Sequence, residues 1–214
     1  MPDPARFVAE NTALLSPPLV PEIRLHLATE VVPLWRKTEE ELEAEGVPPP
    51  YWAFAWAGGQ ALARYVLDHP SEVAGKRVLD FGSGSGLVAI AAAKAGASEI
   101  LAADIDAFAG AAIALNATAN VVAIKVTRDD VIGAPCAWET ILVGDMCYER
   151  PLAGRLLAWL GDCARDGANV LLGDPGRNYF PKSGVEKLGT YNVQTTRDLE
   201  DREIRETSVY RFRG

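Results

Sequence analysis

From Lys76 to Asp174, short runs of consecutive apolar residues alternate with longer stretches of helical periodicity: RVLDF, then LVAIAAAKAG; EILAADI, then AFAGAAIALNA; VVAIKV; ETILVGD, then ERPLAGRLLAWLGDCA; and ANVLLGD. A strand that is apolar on both sides must be covered on both, and strand, helix, strand repetition sets the strands parallel. Beyond Pro181 the pattern changes to VEKLGTYNVQTT and IRETSVYRFR, two further strand-like segments joined by the charged DLEDRE. The expected architecture is α/β, with five parallel strands finished by an antiparallel two-strand ribbon.

The residues ahead of this pattern read as helical but punctuated. Pro21 opens a short helix over PEIRLHLA, and Thr38 caps TEEELEAE before Gly46 stops it. Residues 1–50 are therefore expected to form an N-terminal helical extension, and residues 51–214 the main domain. The three prolines of VPPPYW impose extended backbone, with a helix resuming from Gly59 to about Leu67.

A net charge of −8 and a pI near 4.9 work against attraction to phosphate backbones or anionic lipid. DNA and membranes are not expected as partners. Cys136, Cys147 and Cys163 are odd in number and lack metal-ligand spacing, so neither a zinc site nor a disulfide framework follows. No apolar run reaches the roughly 18 residues of a membrane span, and the first 30 residues carry four acidic side chains unlike a signal peptide. A cytoplasmic location with an intact N-terminus is the expectation. His26, in a helical stretch, and His69, before Pro70, are read as structural or solvated.

Chemistry enters at VLDFGSGSG, residues 78–86. The first strand ends at Asp80 or Phe81, and Gly82, Gly84 and Gly86, with Ser83 among them, let the backbone turn and approach a ligand before a helix begins near Leu87. The spacing is GxGxG, not the GxGxxG that seats a pyrophosphate. Acidic Asp80 just before it suits a ligand bearing an ammonium group, as S-adenosylmethionine does. The second strand ends at Asp104 and Ile105, where the Asp104 carboxylate can accept both hydroxyls of a ribose. The third ends in TRDDV. Asp129 or Asp130 there can accept from an adenine amino group or be a solvated turn residue, and Asp130 is the candidate.

With these motifs, the sequence resembles the seven-strand, Rossmann-like protein lysine methyltransferases, and most closely those of the electron-transfer-flavoprotein β subunit and their bacterial relatives. The resemblance covers nearly the whole chain. It rests on FVAENTALLSPPLVPEIRLHLA at 7–28, YWAFAWAGGQALARYVLDHP at 51–70, VLDFGSGSG, GDMCYE at 144–149 and GDPGRNYFP at 173–181. It implies that Trp56, Gly59 and Gln60 line a cofactor pocket, while Trp52 and Phe54 belong to an aromatic core. A DxxY motif of the family is matched by Asp145 to Tyr148, which implies that Asp145 and Tyr148 position the substrate amine beside the methyl group; a helix cap is the other reading of Asp145. Arg177 either faces an acidic substrate surface or pairs with a carboxylate. The chain departs from its relatives in AWAGG, where they tend to carry a proline after the tryptophan.

Methyl transfer from a sulfonium is an in-line displacement that needs alignment rather than a metal. The resemblance implies S-adenosylmethionine as cofactor and electron-transfer flavoprotein β subunit as protein substrate. Transfer to a ribosomal or other protein, or to a small amine, is the alternative. An NAD-dependent oxidoreductase is a distant one, disfavoured by the loop spacing.

Overall fold

In the computed structural model, the described residues are 2–28, 46–195 and 204–214. The helix expected over TEEELEAE and the DLEDRE connection lie outside them. Helix α1 (Pro4–Asn11) is capped by Asp3, whose side chain accepts from the backbone N–H of Arg6. Strands β1 (Ala13–Leu15) and β2 (Leu25–Leu27) pair antiparallel.

The segment PEIRLHLA is thus a turn and a strand, not the helix its opening proline suggests. The reason is legible in hindsight: Ile23, Leu25 and Leu27 are buried while Arg24 and His26 between them are not, which is a period of two. Both polar residues are tied to the domain. The backbone N–H groups of Arg24 and His26 donate to the side chains of Asn120 and Asn116 at 3.0 and 2.7 Å.

After a turn of 3₁₀ helix at Tyr51–Ala53 come α2 (Ala57–Asp68), β3 (Arg77–Phe81), α3 (Leu87–Lys94), β4 (Glu99–Ala103), α4 (Ala107–Ala119), β5 (Lys125–Thr127), β6 (Thr140–Gly144), α5 (Arg150–Arg165), β7 (Asn169–Asp174), β8 (Val185–Gln194) and β9 (Ile204–Phe212). They form a seven-stranded sheet in the order β5-β4-β3-β6-β7-β9-β8, with β5 to β7 mutually parallel through β4, β3 and β6. The expected ribbon is present, but β9 inserts between β7 and β8 and runs antiparallel to both. Strand β8 slips register between Lys187 and Gly189. Of the run VVAIKV only Lys125 and Val126 enter the three-residue β5, and Val121 at its start takes a positive φ of 57° that breaks the extended backbone.

Strand side chains alternate between two apolar layers. Val78, Ile100, Leu142 and Leu171 join α2, α3 and the buried residues of β2, whereas Leu79, Ile141, Val143, Val170 and Leu172 pack with Trp159 and Leu160 of α5. Helix α3 buries Leu87 to Ala92 all round, as a helix wedged between a sheet and another helix must. A third cluster joins α1, α4 and the 3₁₀ turn through Phe7, Phe108 and Trp52, the last two stacked at 6.4 Å.

Helix α2 reaches the sheet over glycine. A Cβ at Gly173 of β7 would drive into the carbonyl oxygen of Gly58, and one at Gly144 of β6 would sit 3.0 Å from the Cα of Gly59. Interiors at crystal-like density cannot absorb an added methyl there. Gly173→Ala is expected to cost about 2 kcal/mol or more, which for a chain of this size lowers Tm by on the order of 5 °C. Calorimetry checks it, and a fall of less than a degree would mean that this contact is not tight.

Candidate active site

The sheet order reverses between β3 and β6. In such sheets ligands bind outside the carboxyl ends of the strands at the point of reversal. A cavity of about 520 Å³ opens there, its walls supplied by the ends of β3, β4 and β6, the loops after β5 and β7, and the turn at Tyr51–Ala53. This volume suits a small molecule, since such sites span about 300–1,000 Å³.

Of the residues singled out in sequence, Trp56, Gly82, Gly84, Asp104, Ile105, Asp130, Asp145 and Tyr148 line this cavity. Gly59, Gln60, Asp80, Ser83 and Gly86 stand behind it. The carboxylate of Asp80 is buried beneath the loop, accepting from Ser83 Oγ at 2.6 Å and from the Ala89 N–H at 2.9 Å. It braces the loop against α3. Burial pushes its pKa up to about 7, the Ser83 and Ala89 hydrogen bonds opposing that and nearby Asp104 reinforcing it. Gln60 donates from Nε2 to the Ala55 carbonyl at 2.7 Å, and its buried Oε1 has no partner among the described residues.

Gly84 and Gly86 have φ of 53° and 80°, a region that side chains rarely adopt, and Gly84 leaves its surroundings open out to the Trp52 Cα at 3.8 Å. The Gly84 N–H donates to Asp104 Oδ2 at 2.9 Å, and the Asp106 N–H donates to Oδ1 at 3.0 Å. Two of the roughly four acceptor positions of that carboxylate are thereby used, leaving capacity for a diol. Burial raises the pKa of Asp104, against these two backbone hydrogen bonds. Asp130 is ion-paired with Arg155 at 2.6 Å, and Asp129 accepts the Thr127 hydroxyl at 2.8 Å. Trp52, in the wall, has a buried indole N–H with no acceptor among the described residues.

Asp145 follows β6 with a φ of 59°, unusual for a residue with a side chain and a mark of local constraint. Its carboxylate does two things. Oδ2 accepts from the N–H of Gly58 and, at 3.3 Å, from that of Gly59, so it caps α2, whose own N-cap residue Trp56 supplies no side-chain acceptor. Oδ1 accepts from Arg177 Nε at 2.9 Å and pairs with Nη2 at 2.7 Å. Of the two readings of Arg177, the structure therefore has the carboxylate pair. Its guanidinium also lies 5.8 Å from the Trp56 ring centroid. Tyr148, partly open to solvent, and Tyr51 have ring centroids 6.0 Å apart, and Tyr51 is as far from Trp56. Burial raises the pKa of Tyr148 and pushes the Cys147 thiol up to about 12.

Sequence reasoning missed Tyr51, Asp106, Met146 and Arg155 in the cavity wall. For Tyr51 the signal was present, because VPPPYW was read only as extended chain, whereas Pro50 leads into a 3₁₀ turn that folds the ring over the mouth. Met146 follows from Gly82, since its thioether occupies the space a side chain at Gly82 would need.

This fold and site define a seven-stranded S-adenosylmethionine-dependent methyltransferase. The magnesium protoporphyrin IX methyltransferase of Synechocystis with bound S-adenosylmethionine shares the fold, at a TM-score of 0.54 and 17% identity, over 73% of this chain and 80% of that one. The profile of the ribosomal protein L11 methyltransferase family (PrmA) matches residues 60–135, the α2 to β5 region. The electron transfer flavoprotein beta subunit lysine methyltransferase of Xenopus laevis is 41% identical over 98% of this chain and 87% of its own length, and the Homo sapiens protein is 38% identical over 99% and 82%. The chain belongs to this family of lysine methyltransferases. The site accords with its cofactor: Gly82 and Gly84 bring bare backbone to the cavity, the Asp104 carboxylate keeps acceptor capacity, and the lining arginines Arg155 and Arg177 are each paired with a carboxylate.

Asp104→Ala is expected to weaken S-adenosylhomocysteine binding by about 10- to 100-fold through loss of charge-assisted hydrogen bonds. Unchanged calorimetric affinity would remove Asp104 from the site. Asp80 gives a pH dependence. Its folded pKa near 7 lies above the roughly 3.9 of an unfolded aspartate, so the folded state holds the proton more tightly. Its contribution to stability is complete below about pH 4 and is lost as pH rises through about 7. Tm should therefore fall between about pH 5 and about pH 8 more steeply in the unaltered protein than in Asp80→Asn. Parallel curves would show that Asp80 does not titrate in this range.

Proposed function

We propose that the protein methylates lysine side chains of the electron transfer flavoprotein β subunit. The observation that carries this is similarity to lysine methyltransferases named for that substrate across 98–99% of the chain, rather than over the cofactor half alone. The match to ribosomal protein L11 methyltransferases is shorter: residues 60–135 in the family profile, 45% of the chain in the Aliivibrio salmonicida protein and 64% in that of Vibrio campbellii. A shared cofactor half says little about the acceptor. The net charge of −8 speaks against a nucleic-acid acceptor, and the three free thiols suit a reducing, cytoplasmic setting. Residues 51–214 form the catalytic domain on this reading, with the N-terminal segment buttressing α2 and α4.

S-adenosylmethionine, when bound, supplies an electrophilic methyl group. Gly82 and Gly84 bring backbone close to it, Asp104 takes the ribose hydroxyls, and Ile105 and Asp130 flank the adenine. Asp80, Ser83, Gly86, Gly59 and Gln60 act from behind, holding the loop and α2 in place. At the mouth, Tyr51, Trp56 and Tyr148 offer aromatic walls to the alkyl stem and amine of a lysine. Asp145 fixes the edge of the entrance by holding α2 and Arg177, and Tyr148 orients the amine.

Incubation of the purified protein with the flavoprotein and S-adenosylmethionine should add methyl-sized mass increments to β-subunit lysines. Label confined to small molecules or to a ribosomal protein would overturn the reading. Tyr148→Phe should leave S-adenosylhomocysteine affinity within a few-fold while slowing single-turnover transfer by up to about 100-fold, the cost of misplacing a reacting group by about 1 Å. Asp145→Asn should be slower still and also less stable by about 1 kcal/mol or more, because the amide can still cap α2 but no longer pairs its charge with Arg177. Near-normal turnover in Asp145→Asn would exclude its role at the acceptor site.

A further inference from the structure

Arg177 is held through both its side chain and its backbone. Its Nε and Nη2 engage Asp145, its guanidinium faces the Trp56 ring, and its backbone N–H donates to Asp174 Oδ1 at 2.7 Å. A side chain fixed inward in this way, with only about a fifth of it exposed, is poorly disposed to reach for an acidic partner. It is well disposed to set the charge of the place where the acceptor amine arrives.

We propose that Arg177 is a positioning residue that neutralises Asp145, so that the substrate lysine is taken into the site as its neutral, nucleophilic amine. This rests on the lysine-methylating function proposed above. A lysine in water carries its proton up to a pKa of about 10.4. A bare carboxylate within about 4–6 Å would favour the ammonium form further, which has no lone pair to give. A carboxylate already compensated by a guanidinium and by two N–H groups of a helix N-terminus exerts little such pull. The lysine proton leaves to solvent, the amine lone pair forms the new N–C bond as the bond from methyl to sulfur breaks, and the resulting ammonium gives up its proton to water.

The other charged groups around the mouth are spoken for in ways that leave this pair in control. Asp130 is ion-paired with Arg155 of α5, Asp174 accepts from the N–H groups of Gly176 and Arg177 and is faced by Arg205 of β9, and Asp104 accepts from Gly84 and Asp106. Asp106 caps α4, Asp129 holds Thr127, and Glu149 marks the outer start of α5. The phenol of Tyr148 and the thiol of Cys147, both raised by burial, remain protonated, and Tyr51 abuts Tyr148.

The test compares unaltered protein, Arg177→Gln and Arg177→Lys in single-turnover methylation of the flavoprotein from neutral to alkaline pH. Arg177→Gln should move the rising limb of the pH–rate profile upward by about one pH unit or more, slowing transfer about tenfold near neutrality with recovery at high pH. Arg177→Lys, which keeps the charge and loses the planar fork, should leave the limb in place. Calorimetric titration of flavoprotein into the S-adenosylhomocysteine complex, in two buffers of different ionisation heat, counts protons independently of turnover and needs no variant. The unaltered protein should release close to one proton per lysine bound; release of none would overturn the proposal. So would a higher KM in Arg177→Gln with an unmoved limb, which would assign Arg177 to docking instead. If the unaltered protein does not methylate the flavoprotein at all, the substrate assignment fails, which is a different result from an unmoved limb.

Discussion

A helix cap supplied by a residue 87 positions away holds this site together. Helix α2 begins without an acceptor of its own, and the carboxylate that meets its first N–H groups belongs to Asp145, beyond the end of β6. That bond is possible only because the backbone of α2 lies directly on the sheet, and the approach needs Gly58, Gly144 and Gly173 to have no side chains. The same carboxylate reaches Arg177 from the loop after β7. One ionised group thus ties together a helix, two strand ends and an arginine, and it does so at the rim of the cavity rather than in the core. Local backbone strain at Asp145 is the counterpart: a φ of 59° persists because four surrounding elements determine it.

Much of the sheet was legible because its strands are apolar on both faces and its turns are marked by glycine. RVLDF, EILAADI, ETILVGD and ANVLLGD each mapped to a strand within a residue or two, since a doubly covered strand has no competing reading of equal length. The N-terminal segment was less legible. Pro21 at the head of PEIRLHLA is compatible with both a helix start and a turn, and the burial of alternate residues in the same cluster as α2 decides for β2. Long-range pairing, not local propensity, made that choice.

The candidate site divides along the same line. The glycine loop and Asp104 are local signals, because their geometry is dictated by the strand end that carries them. Asp80 looked like part of the same signal, yet its side chain turns beneath the loop and meets α3. Periodicity cannot tell the two sides of a turn apart. The pairing of Arg177 with Asp145 joins residues 32 apart in the segments that follow two different strands and is visible only in the fold. Tyr51 was hidden by its prolines, which announce irregular backbone but not where that backbone delivers the following ring.

The margins of the sheet have a consequence for the molecule in a crowded solution. An unpaired strand edge is a template on which another chain can add by backbone hydrogen bonding. One margin here, β5, is only three residues long and begins with Lys125, which reaches across to Glu99. The other, β8, is long enough to recruit a partner, but its register slip between Lys187 and Gly189 kinks the edge, and Glu186 and Lys187 place charge beside the kink. Neither margin presents a flat, apolar ladder. A sheet that must keep its strand ends open for cofactor and substrate is in this way kept from growing sideways into an aggregate.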